Sequence, residues 1–316
     1  MSEPNIGELI TYTLRNRKGM VADNVSNSNA LLNRLRKRGK VRVIGGGRTI
    51  HCPLEYAEAD FQRYSGYDTL SVAAATVHDA AEFDPVQAAV PVAVSGRERR
   101  INRGKEQVIN LVEAKVKNAE RTMANNISQD IYSDGTASNQ ITGLQAIIAD
   151  DPTTGTVGGI NAATYSWWQN NMVDVSSEVG TVNAANVLSG MNNLYLECMR
   201  GNDKVDLIVS DSTYYRFYED NLQPLQRFTG KDMAEAGFDS YKYKSADVVY
   251  DGDSGIAANG MYFLNTEYLQ FVTYRGANFE PTETVTSINQ DADIRYLLFM
   301  GNLTCSNRSL QGRLKS

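Results

Sequence analysis

Histidine and cysteine are scarce in this chain, and their scarcity limits its chemistry. Only two histidines, His51 and His78, occur in 316 residues, which leaves little room for histidine-based catalysis or a histidine-rich metal site. The three cysteines, Cys52, Cys198 and Cys305, are isolated and odd in number. This usage fits a reducing compartment without a disulfide framework, and no metal-binding CxxC spacing is present.

Long apolar runs are also absent. The longest stretch without a charged residue, 152–173, is rich in Thr, Gly, Asn and Gln, so it cannot serve as the roughly 20 apolar residues of a bilayer-spanning helix. The first ten residues, MSEPNIGELI, contain acids and lack a basic start followed by an apolar run. We therefore expect neither a secretory signal nor a membrane partner.

The composition is that of a globular chain, but its charge is unevenly distributed. Hydrophobic residues make up 42% and charged residues 22%, and the formal net charge is −6, which suits one large or two modest domains. Residues 1–40 nevertheless contain eight basic and three acidic residues. Because this segment has only short apolar pieces, we expect it to order against a neighbouring subunit or a polyanion. A frayed terminus is the alternative.

The clearest periodicity predicts a long helix over residues 97–133. Apolar residues recur there at steps of three and four, which makes one helical stripe: Val108, Val112, Val116, Ala119, Met123, Ile127 and Ile131. Asp134–Gly135 supplies a stop signal. About thirty residues would form a rod of roughly 45 Å, long enough to act as a scaffold for other elements. An ordinary core helix is the alternative.

The remaining patterns mix helices and strands without a repeating βαβ order, which predicts an α+β fold. Helices are predicted near 183–199 and 212–221. Strands are predicted at 41–43, 49–50, 69–72, 205–209, 248–250, 261–264, 269–274 and 296–300. Residues 41–94 contain little that would bury a local core, so we interpret them as a long open excursion from the body.

No motif supports catalysis. Gly45-Gly46-Gly47 lacks the Lys-Ser/Thr of a phosphate-binding loop and is interpreted as a hinge. Residues 251–255, DGDSG, depart from a calcium loop, and position twelve is Tyr262, so a solvated turn is predicted. Neighbouring residues of an extended segment point to opposite faces. His51 and Cys52 therefore cannot form a nucleophile–base pair, and we interpret both as packing residues.

Two charged groups remain ambiguous at this point. Asp150 and Asp151 lie at the edge of a loop with no assignable partner acid. The basic cluster at 97–103, RERRINR, could contact phosphates non-specifically, but a solvated helix start explains it equally well. The sequence thus predicts no enzyme, no catalytic, cofactor-binding or metal-binding residue, and no cofactor.

An ordered set of segments resembles a known family. In chain order these segments are GLQAII (143–148), VGGI (157–160), YSWWQN (165–170), VDLIVS (205–210), LQPLQRF (222–228) and GMYFLNTEYL (260–269). With the basic arm, the open excursion and the long helix, this order resembles the major capsid proteins of tailed bacteriophages, which have the HK97-like fold. The resemblance covers essentially the whole chain, although no single motif is specific.

The resemblance implies a division into parts. Residues 1–40 would be an N-terminal arm, 41–95 an extended E-loop and 96–134 the spine helix of a peripheral domain. Residues 180–260 would form an axial domain, and 135–179 and 261–316 would complete the peripheral domain. The arm begins only about forty residues before the E-loop, so a separate scaffold protein, or none, is expected.

The resemblance also implies partners and a location. The chain would assemble with itself into pentamers and hexamers of an icosahedral shell around double-stranded DNA, in the host bacterial cytoplasm, and remain in the virion. Scaffold, portal and cement proteins are further implied partners, and contact with packaged DNA would be non-specific. Some relatives join subunits through an E-loop lysine, but no lysine occurs between Lys40 and Lys105, so that bond is not expected. An encapsulin-like shell and a soluble enzyme are the alternatives.

Overall fold

A computed structural model of the chain describes residues 29–58, 61–70, 77–101, 105–222, 240–251, 255–283, 285–286 and 291–316. Its α-helices are α1 Ala30–Lys37, α2 Gly96–Ile101, α3 Lys105–Tyr132, α4 Leu144–Ile147, α5 Ala184–Glu197 and α6 Ser212–Leu222. A 3-10 turn, Ser166–Trp168, and a π-turn, Val175–Val179, supplement them. Over these ranges no helix combines the length and apolarity needed to cross a membrane.

The strands occur in runs between and after these helices and confirm the α+β prediction. They are β1 Val41–Ile44, β2 Ile50–Glu55, β3 His78–Phe83, β4 Val86–Ser95, β5 Thr156–Val157, β6 Ile160–Asn161, β7 Asn171–Asp174, β8 Leu207–Ser210, β9 Ser240–Tyr243, β10 Ala246–Tyr250, β11 Gly260–Leu264, β12 Leu269–Pro281, β13 Val285–Thr286, β14 Ala292–Cys305 and β15 Gly312–Lys315. The predicted helices at 183–199 and 212–221 are confirmed, as are the strands at 205–209, 248–250, 261–264, 269–274 and 296–300.

One sheet is built around the 14-residue strand β14. Strand β12 pairs with one side of it, strand β4 pairs with the other side, and both pairings are antiparallel. The short β13 continues the β12 side, and β1 pairs in parallel with β12. Because residues 297–299 of β14 have partners in both β12 and β4, β1 and β4 lie on opposite sides of the β12–β14 pair.

The second sheet has the strand order β7-β15-β11-β8-β10-β9. Helices α5 and α6 pack on it and share a core with it, which includes Met191 of α5, Ile208 of β8 and Phe263 of β11. Strands β7, β11 and β15 lie outside or at the limit of residues 180–260, so these expected limits of one domain do not coincide with the sheet. The sheet forms through pairing of strands that are distant in sequence. Sequence periodicity does not encode that pairing.

Helix α3 is the predicted long helix. The buried members of its stripe are Val116, Ala119, Met123, Ile127 and Ile131. This confirms the stripe from residue 116 onward, whereas the side chains of Val108 and Val112 lie outside the described residues. Val116 and Ala119 pack against Val92 and Val94 of β4, while the C-terminal half of the stripe joins the main core. From residue 116 onward, the helix therefore supports the β14 sheet.

Candidate assembly surfaces

Strands β2 and β3 form a two-stranded antiparallel ribbon, which we call the ribbon. Along β2, buried and exposed residues alternate strictly, as period-two side-chain orientation requires. The inner face joins the main core through Ile50, Cys52, Leu54, Ala81 and Phe83. The ribbon therefore has one face fixed to the molecule and one face directed outward.

Contacts with residues 156–168 of the same chain hold the ribbon in place. The backbone N–H of Glu82 donates to the carbonyl oxygen of Gly158 at 2.9 Å, and the rings of Tyr56 and Trp167 stack with centroids 4.7 Å apart. A Cβ at residue 158 would lie 2.9 Å from the Cβ of Ala81, so only glycine permits this approach. The interpretation of residues 41–94 as a long open excursion from the body is therefore wrong for the ribbon, because its inner-face residues pack into the main core together with residues distant in sequence.

The tip of the same excursion, residues 61–70, is exposed. Its large side chains are Phe61, Tyr64, Tyr67 and Leu70, with exposed fractions of 80%, 65%, 107% and 49%. Single exposed apolar residues are ordinary on protein surfaces, but a group of them within ten residues marks an interaction surface. The predicted strand at 69–72 is not formed at residues 69 and 70, and residues 71 and 72 lie outside the described residues.

Helix α1 lies on the chain's own body. Its N-cap is Asn29, whose side-chain oxygen accepts from the N–H of Leu32. The N–H of Ala30 and the hydroxyl of Tyr132 both donate to Oδ2 of Asp251, at 3.0 and 2.8 Å. Burial, followed by the charge of Asp251, raises the pKa of Tyr132 well above its ordinary value. The tyrosine therefore remains a hydrogen-bond donor.

These contacts overturn the expectation of a solvated turn at Asp251. The carboxylate is buried, and it accepts from the N–H of Ala30, one of the N–H groups at the start of α1 that lack a partner within the helix. Asp253 and Ser254 of the same motif lie outside the described residues.

Arg34 of α1 and Arg38, which follows the helix, face carboxylates of the same chain. Nε of Arg34 lies 3.1 Å from Oδ2 of Asp206, and its NH1 lies 3.4 Å from Oδ2 of Asp247. Arg38 also contacts Asp206, at 3.2 Å. Residues 29–40 therefore order against another surface, as expected, but that surface is neither a neighbouring subunit nor a polyanion. Residues 1–28 of the expected arm lie outside the described residues.

The structure also shows what surrounds the other residues that the sequence raised as candidates. Asp150 pairs with the buried Arg313, and Asp151 accepts from Thr153 in a turn. Gly45 and Gly46 lie in open space between β1 and β2. No group of three or more His, Cys, Asp or Glu side chains capable of holding a metal occurs within the described ranges.

The interpretation of His51 and Cys52 as packing residues is half right. Cys52 is buried, but His51 is exposed, with its Nδ1 3.3 Å from Oε1 of Glu82. Burial raises the pKa of the thiol of Cys52, and it raises those of Cys198 and Cys305 to about 12. None of the three thiols is therefore an activated nucleophile.

Sequence reasoning missed two polar features. Ser95 and Glu98 form a reciprocal capping box at the start of α2, since each side chain accepts from the other residue's backbone N–H. The S-x-x-E spacing could have revealed it. The second feature is Arg308, fully buried, which donates to the carbonyl oxygen of Ile147 and to Oδ1 of Asn170. No local sequence pattern indicates that Arg308 links these three distant segments.

Comparison with known proteins shows which solved structures this fold is similar to. No family model matches the chain, and no curated protein does. Among solved structures, the chain is similar to a subunit of the cyanophage A-1(L) capsid, with 18% identity, a TM-score of 0.66, and coverage of 88% of this chain and 91% of that one. The capsid of the native GTA particle aligns at 11% identity and a TM-score of 0.57 over 88% of each chain.

A third capsid, that of Myoviridae phage XM1, gives 13% identity and a TM-score of 0.54 over 89% of this chain and 91% of that one. The chain therefore has the HK97-like fold of these capsid subunits.

Proposed function

We propose that this chain is the major capsid protein of a tailed bacteriophage and that its copies assemble into an icosahedral shell around double-stranded DNA. The observation that carries the proposal is the exposed tip, whose four large apolar side chains lie in the segment between the two strands of a ribbon fixed to the body. A second copy that covers these side chains would remove apolar surface from water, at about 25 cal/mol per Å². The shared fold with capsid subunits supports the same assignment.

The division into parts belongs to this proposal. The ribbon and the tip fit an E-loop, α3 fits a spine helix, and the six-stranded sheet with α5 and α6 fits an axial domain whose limits extend beyond 180–260. Pentamers and hexamers would form through repeated contacts between unlike surfaces, which close into a shell when the rotations close. Each contact can be weak, because many of them act together.

The structural role also fits the surroundings of the candidate reactive groups in the described part of the chain. The described residues hold buried, inert thiols and paired acids, so we propose no enzymatic activity. Scaffold, portal and cement proteins, non-specific contact with packaged DNA, assembly in the bacterial cytoplasm and residence in the virion are further parts of the proposal.

Assembly of purified protein tests it directly. We expect sedimentation and negative-stain electron microscopy to show closed particles, and co-expression with the neighbouring genes of its genome to give particles that contain DNA. The triple variant F61S/Y64S/Y67S should remain folded as a subunit but lose assembly. The matched variant F61Y/Y64F/Y67F keeps the rings and should assemble.

Other outcomes would contradict the proposal. A single monomeric peak at all concentrations in size-exclusion chromatography would favour a soluble enzyme. Closed shells that contain enzymes in place of DNA would favour an encapsulin-like compartment.

A further inference from the structure

The outward face of the ribbon carries both histidines of the chain, and each stands opposite a glutamate. In the antiparallel register His51 pairs with Glu82, Pro53 with Ala80, and Glu55 with His78. All six residues are exposed, and we call them the outer face. Because the strands run in opposite directions, the two histidines occupy diagonal corners and the two glutamates occupy the other diagonal.

All three cross-strand pairs of the outer face are non-hydrogen-bonded pairs, the kind in which the opposite side chains lie closest to each other. The N–H of Glu82 donates outward to Gly158, and the N–H of Tyr56 donates to Val77 across the ribbon. Since hydrogen-bonded and non-hydrogen-bonded pairs alternate, the pairs of the outer face are the non-hydrogen-bonded ones, whose side chains approach most closely. Pro53 fits this register because it has no N–H to donate.

The four corner side chains form a fixed pattern of donors and acceptors. Imidazole nitrogens can donate, and carboxylates accept. Nδ1 of His51 lies 3.3 Å from Oε1 of Glu82, and residues two apart on a strand are separated by about 7 Å. The two His–Glu pairs lie four residues apart along the strands, a separation of about 13 Å, with the small apolar pair Pro53 and Ala80 between them.

This pattern is complementary to itself. When a second copy is turned over about a two-fold axis lying in the plane of the outer face, each histidine corner meets a glutamate corner, whether the axis runs along the strands or across them. A face with only donors or only acceptors at its corners would not have this property. The inner face is buried in the core, so the pattern is presented on a supported surface, which lowers the entropy cost of binding.

We propose that the outer face of the ribbon packs against the outer face of a second copy of this chain across a two-fold axis. Each histidine of one copy then lies against a glutamate of the other, and Pro53 and Ala80 form the small apolar centre. The inference rests on the proposed function, because it requires that copies of the chain assemble. The contact is small, and its strength comes from repetition over a shell.

Cross-linking in assembled particles tests the contact. Ala80→Cys places an exposed thiol at the centre of the outer face, while Cys52, Cys198 and Cys305 are buried. Two facing sheets lie about 10 Å apart, so a short bis-maleimide should join the introduced thiols of two copies and give dimers on a denaturing gel. Urea unfolding of the isolated variants provides the folding control, and the changes below should leave it unaltered because the side chains are exposed.

Charge complementation makes the test specific. On the A80C background, H51E/H78E makes all four corners acidic, and E55K/E82K removes the acids. Each variant alone should give about tenfold less dimer, because like groups face each other. Particles co-assembled from both variants should recover the dimer, and mass spectrometry should identify it as one chain of each.

The outcomes separate this inference from the proposed function. Particles of A80C that form but give no dimer, or an H51E/H78E variant with an unchanged dimer yield, would overturn the two-fold contact and leave the shell assignment intact. Failure of the unaltered chain to form particles would instead contradict the proposed function.

Discussion

Arg34 and Asp206 form an ion pair between α1 and the residue that precedes β8, with Nε of the arginine 3.1 Å from Oδ2 of the aspartate. Asp206 also accepts from the backbone N–H and the hydroxyl of Thr266, both at 2.7 Å. Both charges are almost completely buried. One carboxylate thus connects the N-terminal helix, the six-stranded sheet and the loop between β11 and β12.

Substitution of Arg34 by methionine should destabilise the isolated subunit. The variant leaves Asp206 and Asp247 in a buried site with fewer partners, and breaking a buried pair from one side costs about 3 kcal/mol. Urea unfolding measures this cost as a lower midpoint. Arg36→Met, an exposed change on the same helix, is the control and should shift the free energy of unfolding by no more than about 0.5 kcal/mol. Equal midpoints for both variants would show that the ion pair does not hold α1.

Gly143 should not tolerate even one added methyl group. A Cβ at this position would overlap the carbonyl oxygen of Ser133 and lie 2.6 Å from that of Asp130, and backbone atoms cannot move aside cheaply. We expect Gly143→Ala to lower the free energy of unfolding by about 3 kcal/mol. Gly45→Ala, which meets no heavy atom within 4 Å, should unfold like the unaltered chain. A harmless G143A variant would show that the packing between α3 and α4 is looser than described.

The capping box of α2 should make the free energy of unfolding depend on pH in the acidic range. Lys115, followed by the backbone N–H of Ser95, donates to Glu98 and lowers its pKa below the ordinary 4.5. A folded-state pKa below the unfolded one gives stability that is present above pH 4.5 and lost as the pH falls. The difference in unfolding free energy between the unaltered chain and Glu98→Ala should therefore be clear at about pH 7 and should shrink steadily as the pH falls below 4.5. For Glu98→Gln, a loss as large as that of the alanine variant at neutral pH would argue against the cap.

Alkaline solution should weaken the fold from about pH 9 upward. Burial raises the pKa of Cys198 from 9.0, and of Tyr243 and Tyr262 from 10.0, in each case to about 12. These groups lose protons in the unfolded chain first, so stability falls between about pH 9 and pH 12, by at most about 1.4 kcal/mol per pH unit for each group. Urea midpoints at steps of about one pH unit from pH 8 to pH 11 measure the slope. Cys198→Ala should reduce it between about pH 9 and 10, and an unchanged slope there would contradict the assignment.

Local periodicity was sufficient to predict the long helix and several of the other helices and strands from sequence. The stripe of α3, the helix at α5 and the buried strand β8 all follow from spacing within a few residues. Those signals depend on neighbours in the chain, and they are largely independent of what packs against them.

The sequence could not predict the contacts of a residue whose partners are distant in the chain. Asp251 looks like part of a polar turn until Ala30 and Tyr132 are placed beside it, and Arg34 looks like a free basic residue until Asp206 and Asp247 are. The outer face depends likewise on the cross-strand register, since His51 and Glu82 are 31 residues apart and become neighbours only through the pairing of β2 with β3. Side-chain type alone does not specify such pairs.

The attachment of the ribbon has a mechanical consequence. Its two ends continue into β1 and β4, which flank the β12–β14 pair on opposite sides. Tension applied to the ribbon would therefore be passed to both flanks of the β12–β14 pair, on one side through the C-terminal end of β1 and on the other through the N-terminal end of β4. The centre of this sheet thus anchors both ends of the ribbon.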